Sequence, residues 1–192
     1  MRRIALLAVS LLAWILFAIA GCTPTVVREV PIVSQDKDAA LMLTSFAFAG
    51  GAEIPVKYSC NGESISPPLD WSEGPPGTAS FALILEDPDA PVKNFTHWVI
   101  FNLPPDTLGL PEAVPKDGTL AGGALQGKNG GGSIGYMGPC PPKGPAHHYV
   151  FNLYALDKAL DLAAGATKDQ VRQAMQGHIL AESMLVGLYQ RQ

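Results

Sequence analysis

Apolar positions along this chain fall into short runs, separated by stretches dense in glycine and proline. The two strongest runs are residues 81–85 (FALIL) and 98–103 (WVIFNL), on either side of a loop of acids, prolines and one histidine. Short length and enrichment in branched and aromatic residues predict strands. Strand side chains alternate faces. On that basis Phe81, Leu83 and Leu85 share a face that reaches Asp87, and His97 starts the face of Val99, Phe101 and Leu103. Residues 147–156 repeat the pattern, with His147, Tyr149, Phe151 and Leu153 on one face and His148, Val150, Asn152 and Tyr154 on the other. Residues 41–45 and 54–59 predict two further strands, and 184–189 a closing one. Residues 66–71 are expected to be extended, since each proline biases its predecessor away from helix. One helix is signalled by a capping box, Thr167 as N-cap and Gln170 three residues on. Val171, Ala174, Met175, His178 and Ile179 follow on one stripe, which makes His178 a packing residue. Scarce helix with abundant Gly and Pro predicts an all-β domain with long loops.

The first residues read as a targeting segment. Met1-Arg2-Arg3 is a positive start, followed by 17 apolar or small residues from Ile4 to Ala20. That length is at the short limit for crossing a bilayer. Ile19-Ala20-Gly21-Cys22 resembles the bacterial lipobox, where cleavage precedes a cysteine that then carries lipid, so the run is read as a lipoprotein signal peptide rather than a transmembrane anchor. The expected organisation is a signal peptide over 1–21, the lipidated Cys22 with a flexible linker over 22–40, and one domain over 41–192. The domain would be exported and held on a bacterial membrane, facing the periplasm or the cell surface. Loss of Arg2 and Arg3 leaves 11 basic against 17 acidic residues, a net charge of −6. With no basic cluster, nucleic acid is excluded as a partner on electrostatic grounds.

Candidate chemistry sits beside the strands. Asp87 and Asp89 in the Asp-Pro-Asp-Ala-Pro string, His97, and the His147-His148-Tyr149 run place carboxylates and imidazoles at the polar rims of apolar faces, where burial is costly. The segment 104–146 is long and dense in Gly and Pro, as functional or mobile loops are. Within it Gly122, Gly127 and Lys128 fit a phosphate-loop spacing, but Asn129 replaces the Ser/Thr and the glycines 130–132 forbid the helix that should follow, so that reading is rejected. No H-x-x-x-H or His/Cys spacing supports a metal, and no cofactor is expected. Neither G-x-S-x-G nor a catalytic cysteine string occurs, which argues against an enzyme.

Asp-Pro-Asp-Ala-Pro with His97-Trp98, followed by Gly135-Tyr136, Gly138-Pro139, Pro141-Pro142, Gly144 and His147-x-Tyr149, resembles the two signatures of the phosphatidylethanolamine-binding protein family. The resemblance covers nearly all of 41–192 and suits the bacterial and archaeal branch related to Raf kinase inhibitor protein. It implies a Greek-key β-sandwich of two antiparallel sheets with one or two flanking helices near the C-terminus. It also implies a small anion pocket for phosphate, carboxylate or phospholipid head groups, formed by Asp87, Asp89, Pro91, His97, Cys140 (through its backbone), Pro142, His147 and Tyr149. His148 stands where the family usually carries arginine, which makes the charge of the pocket wall titratable. The partners implied are a small anion or head group, the membrane through Cys22, a protein docking on the pocket rim as kinase- or protease-inhibiting relatives do, and a second copy in a homodimer.

The expectation for the pocket is that Asp87 and Asp89 accept hydrogen bonds from the imidazoles and the loop backbone. They would then hold His97 and His147 oriented and partly protonated, since a carboxylate neighbour favours imidazolium. Cys60 and Cys140 are the two thiols left once Cys22 is lipidated. An even pair in an exported domain suggests a disulfide, with two free thiols as the alternative.

Overall fold

The computed structural model describes residues 40–92 and 94–191; the expected signal peptide, the lipidation candidate Cys22 and nearly all of the expected linker lie outside the described residues. Eight strands among the described residues form two antiparallel sheets. The smaller sheet has the order β1 (Leu43–Thr44), β2 (Leu69–Trp71), β5 (Gly109–Leu110). The larger is built from β3 (Ser80–Asp87), β4 (Phe95–Leu103), β6 (Leu125–Gln126), β7 (His147–Leu156) and β8 (Ile179–Tyr189), in the order β6-β4-β3-β7-β8. β3 and β4 form a hairpin, and β7 returns after the long loop to the other side of β3.

Two apolar layers result. Between the sheets, Leu43, Leu69, Trp71 and Leu110 meet Phe81, Leu83, Leu85, Trp98, Ile100, Tyr149, Phe151, Leu153 and Leu185. The outer face of the large sheet is covered by α1 (Lys168–Met175), whose Val171 and Met175 pack with Ala82, Ile84, Val99, Phe101 and Tyr154. β3 is therefore buried along its whole length, as its unbroken apolar run requires. The helix starts at the expected capping box, with the Thr167 side chain accepting from the Gln170 amide and the Gln170 side chain accepting from the Thr167 amide.

Three expectations are corrected. Residues 54–59 are not a strand: Glu53 and Ile54 touch β8 at the sheet edge, and Val56–Tyr58 is a turn of 3-10 helix. Pro55, with its fixed φ and missing N–H, suits the start of that turn, and Ile54 and Tyr58, four residues apart, are both buried. The helical stripe stops short of His178. Gly177, at φ 77°, follows the helix in the left-handed conformation, His178 donates through Nδ1 to Asp157 at 2.9 Å, and Ile179 opens β8. The third correction concerns β4. Leu85 pairs with Trp98 and Glu86 with Thr96, which leaves His97 as the extra residue of a β-bulge; a second shift lies between the pairs Phe81/Leu103 and Leu83/Ile100. Each bulge inverts the alternation. Trp98 and Ile100 therefore face the inter-sheet core, while Val99 and Phe101 face the helix layer. His97 does not share the face of Val99 and Phe101.

Candidate functional site

The bulge aims His97 at one end of the sandwich, where it meets Asp87 at the end of β3 and His147 at the start of β7. His97 is almost fully buried, and its ring meets those of Phe95 and Tyr149 edge-on, each at 5.1 Å. Two hydrogen bonds lock it to the proline-rich turn: Met137 N donates to the His97 carbonyl at 2.9 Å, and His97 Nδ1 lies 2.8 Å from the Met137 carbonyl. A carbonyl only accepts, so Nδ1 carries the proton and Nε2 is a lone pair in the neutral ring. Burial pushes the His97 pKa below its ordinary value, opposed by the Met137 carbonyl and then by the Asp87 charge.

Asp87 is 3 % exposed. Its Oδ2 accepts from His147 Nδ1 at 2.8 Å and its Oδ1 from the Asp89 amide at 2.9 Å. The structure thus gives His147 a carboxylate partner. His97 differs, because a backbone carbonyl stands in place of the expected carboxylate and burial favours the neutral ring.

These side chains open on a cavity of about 300 Å³ lined by Asp87, His97 and His147, with Pro91, Val92, Phe95, Met137, Cys140, Pro141 and Pro142 around them. Of the eight residues expected at the pocket, Asp87, Pro91, His97, Cys140, Pro142 and His147 share this hollow. The other two do not line it. Asp89 faces outward, accepting from the His148 amide at 2.8 Å and from His148 Nδ1 at 2.7 Å. Its carboxyl is held below the usual range, first by that amide and then by the imidazole. It clasps the rim loop to β7, with the His148 backbone and imidazole as its partners. Tyr149 is fully buried behind His97, and its hydroxyl has no hydrogen-bond partner among the described residues. Burial, and then the Asp87 charge, raise the Tyr149 pKa, which keeps the hydroxyl protonated.

Sequence reasoning misses Val92, Phe95 and Met137 as wall residues. Phe95 is legible in principle, since it lies two positions before His97 and so shares its face. Met137 is not, because its place depends on a loop folding back onto β4. That loop includes the glycine run 130–132. Gly130 N donates to the Thr96 carbonyl, and a Cβ at Gly130 would lie 2.6 Å from Phe95 Cε2. The bare glycine lets the loop lie flat against the cavity wall. Cys140 is joined to Cys60 by a disulfide, and Cys60 N also donates to the Pro139 carbonyl at 3.0 Å.

A pH dependence follows from His97. Its folded pKa lies below the unfolded value of about 6.5, so the unfolded chain binds the proton first. The stability it contributes is complete above that value and is lost as pH falls through it towards the depressed folded pKa. Melting temperatures measured across the mildly acidic range should fall more steeply for the native protein than for His97→Gln; equal slopes would count against a buried neutral imidazole.

The architecture is that of a two-sheet antiparallel β-sandwich carrying an imidazole–carboxylate hollow at one end. The chain belongs to the phosphatidylethanolamine-binding protein family, whose model matches residues 44–190. A UPF0098 protein of Methanothermobacter thermautotrophicus is 57% identical over 150 residues, covering 78% of this chain and 98% of that protein. A Mycobacterium tuberculosis protein bearing the provisional name lipoprotein LppC is 37% identical over 187 residues, 90% of each chain. Among solved structures, the homolog CT736 from Chlamydia trachomatis superposes with a TM-score of 0.73 at 44% identity, covering 80% of this chain and 99% of that one. Escherichia coli YBCL gives 0.75 at 33% identity, covering 80% and 100%.

Proposed function

We propose that this domain is a binding protein, not an enzyme, that takes the phosphate or carboxylate group of a small ligand or phospholipid head group into the cavity beside His97 and His147. One observation carries the reading. Two imidazoles from separate strands commit Nδ1 to partners inside the protein, and no described residue bonds either Nε2. Those two nitrogens are then polar contacts offered by an otherwise largely apolar hollow. Stiff prolines at 91, 141 and 142 lower the ordering cost of binding. Calorimetric titration with inorganic phosphate tests it. His97→Ala should weaken binding by about tenfold or more, the worth of one good hydrogen bond; unchanged affinity removes His97 from the account.

A second reading, a protein-docking rim, is favoured by Val92, a cavity residue left 72% exposed. Capture of a protein partner with the cavity saturated by phosphate would support it.

We also propose that Cys22 carries the lipid that tethers the domain, in keeping with the lipoprotein name of the mycobacterial relative. The native chain should partition into detergent on phase separation and Cys22→Ala into water. Equal partitioning of both would rule the anchor out.

A further inference from the structure

A second cavity, whose reading does not depend on the oxyanion site, lies at the other end of the sandwich. β4 runs from Phe95, in the wall of the hollow beside His97, to Leu103, in the wall of this one. At about 3.3 Å per residue the two walls are roughly 26 Å apart. The cavity holds about 480 Å³, against about 300 Å³ for the hollow. Sites for small molecules have volumes of roughly 300–1,000 Å³ and are mostly apolar, with a few polar groups that orient the ligand. Here Leu103, Leu110, Val114, Leu120 and Ala124 supply apolar wall, and Thr107, Asp117 and Thr119 the polar groups. Two devices hold the wall in shape. Gln126 on β6 is fully buried, and its side-chain amide donates to the Pro115 and Asp117 carbonyls, each at 2.7 Å, while its oxygen accepts from Trp98 Nε1 at 2.7 Å. Further along, Leu120 N donates to the Ala124 carbonyl at 2.8 Å across a tight turn, in which Gly122 and Gly123 take φ of 83° and 88°. Glycine adopts that backbone without steric cost.

The charge of the lip selects among apolar ligands. Asp117 is exposed, and its carboxylate has no ion-pair partner among the described residues. Its neighbour Lys116 does not line the cavity and lays its side chain along Gly135 instead. The other side of the same wall, Pro105 to Leu108, borders a cleft that carries two more carboxylates, Glu73 and Asp106. Among the described residues no lysine, arginine or histidine lines either opening. An anion entering here meets repulsion and no cationic donor. A neutral apolar molecule strips water from the Asp117 carboxylate without replacing it, which costs free energy. An ammonium group restores what the carboxylate loses. We propose that this cavity is a second ligand site, which takes a small apolar molecule bearing a protonated amine. The apolar body sits against Leu103, Leu110, Val114 and Leu120, and the ammonium donates to Asp117. The two ends of the sandwich thus take ligand groups of opposite charge.

The test uses the full-length chain in phosphatidylcholine nanodiscs, with empty nanodiscs as the blank, at neutral pH and low ionic strength. Three probes share one indole ring: tryptamine carries an ammonium, tryptophol a hydroxyl and indole-3-acetate a carboxylate. Methyl NMR reads the site through Leu103, Leu110, Val114 and Leu120, with Val92 reporting on the hollow at the other end. Tryptamine at millimolar concentration should shift the first four sets of signals and leave Val92 in place. Affinity should fall in the order tryptamine, tryptophol, indole-3-acetate, by about fivefold from first to last, the size expected of charge pairing at a wet rim. Added salt should narrow that spread. Asp117→Asn keeps the backbone carbonyl that Gln126 holds, and should bring tryptamine down to the affinity of tryptophol. Ala121→Trp fills the mouth from an exposed position and should weaken all three probes by about tenfold or more, the loss expected when the ring is shut out of its apolar site. A native melting temperature shows that each variant is folded. The proposal is overturned if tryptamine leaves the four sets of methyl signals unmoved, or if tryptophol or indole-3-acetate binds as tightly as tryptamine. It is equally overturned if Asp117→Asn leaves the order of affinities unchanged, or if folded Ala121→Trp binds tryptamine as the native chain does.

Discussion

Replacing both bridged cysteines, Cys60→Ser with Cys140→Ser, should lower the unfolding free energy by about 4–5 kcal/mol. The two are separated by 80 positions, and the cost of closing so long a loop in the unfolded chain sets that magnitude. For a domain of this size each kcal/mol moves the melting temperature by about 2–4 °C, so a fall of roughly 8–20 °C is expected. The loss should also reach the cavity. Cys140 lines it, and the segment around Cys60 supports the same turn, through Tyr136 Oη donating to the Tyr58 carbonyl at 2.9 Å and Gly138 N donating to Ser64 Oγ at 3.0 Å. Phosphate affinity measured well below the melting transition should therefore drop as well. A variant that melts within a few degrees of the native protein would show that the bridge constrains little.

Asp87→Ala should have the largest effect on binding. The substitution leaves His147 Nδ1 and the Asp89 amide without their acceptor, at a position almost closed to water. A charge-assisted hydrogen bond is worth about 1.5–3 kcal/mol, which corresponds to roughly 10–100-fold in phosphate affinity. Asp87→Asn keeps the shape and one accepting oxygen, and should fall between the native protein and Asp87→Ala. A ranking in which Asn binds no better than Ala, with both folded, would mean that the carboxylate charge matters more than the position it gives to His147.

Much of this arrangement is legible in the sequence, and the reasons differ by element. β7 runs from His147 to Leu156, as predicted, because its pairing with β8 is regular from His147 to Ala155 and its side chains alternate. The capping box locates α1 because its two reciprocal hydrogen bonds depend only on residues three apart. The cavity histidines stand out as polar groups at the ends of apolar faces. What the pattern does not reveal depends on distant chain. Residues 54–59 have the composition of a strand, yet Pro55 and the packing of Ile54 and Tyr58 turn them into a short helix. Asp89 looks like a twin of Asp87, but the turn between them sends one carboxylate inward and the other to His148. The facing of β4 is hidden because Val99 and Phe101 are as apolar as Trp98 and Ile100, so the pattern holds no record of the bulges.

With both sides of β4 apolar, burial alone does not decide which way His97 looks. The decision falls to loop contacts: Gly127 N on the Val99 carbonyl, Gly130 N on the Thr96 carbonyl and Met137 N on the His97 carbonyl at one bulge, and the Asn102 side chain gripping the Leu160 backbone at the other. Lengthening or trimming the loop over 127–137 would therefore swing the histidine out of the hollow without touching a single residue of the strand. Such a pocket is open to change through loop length as well as through substitution of the residues that line it.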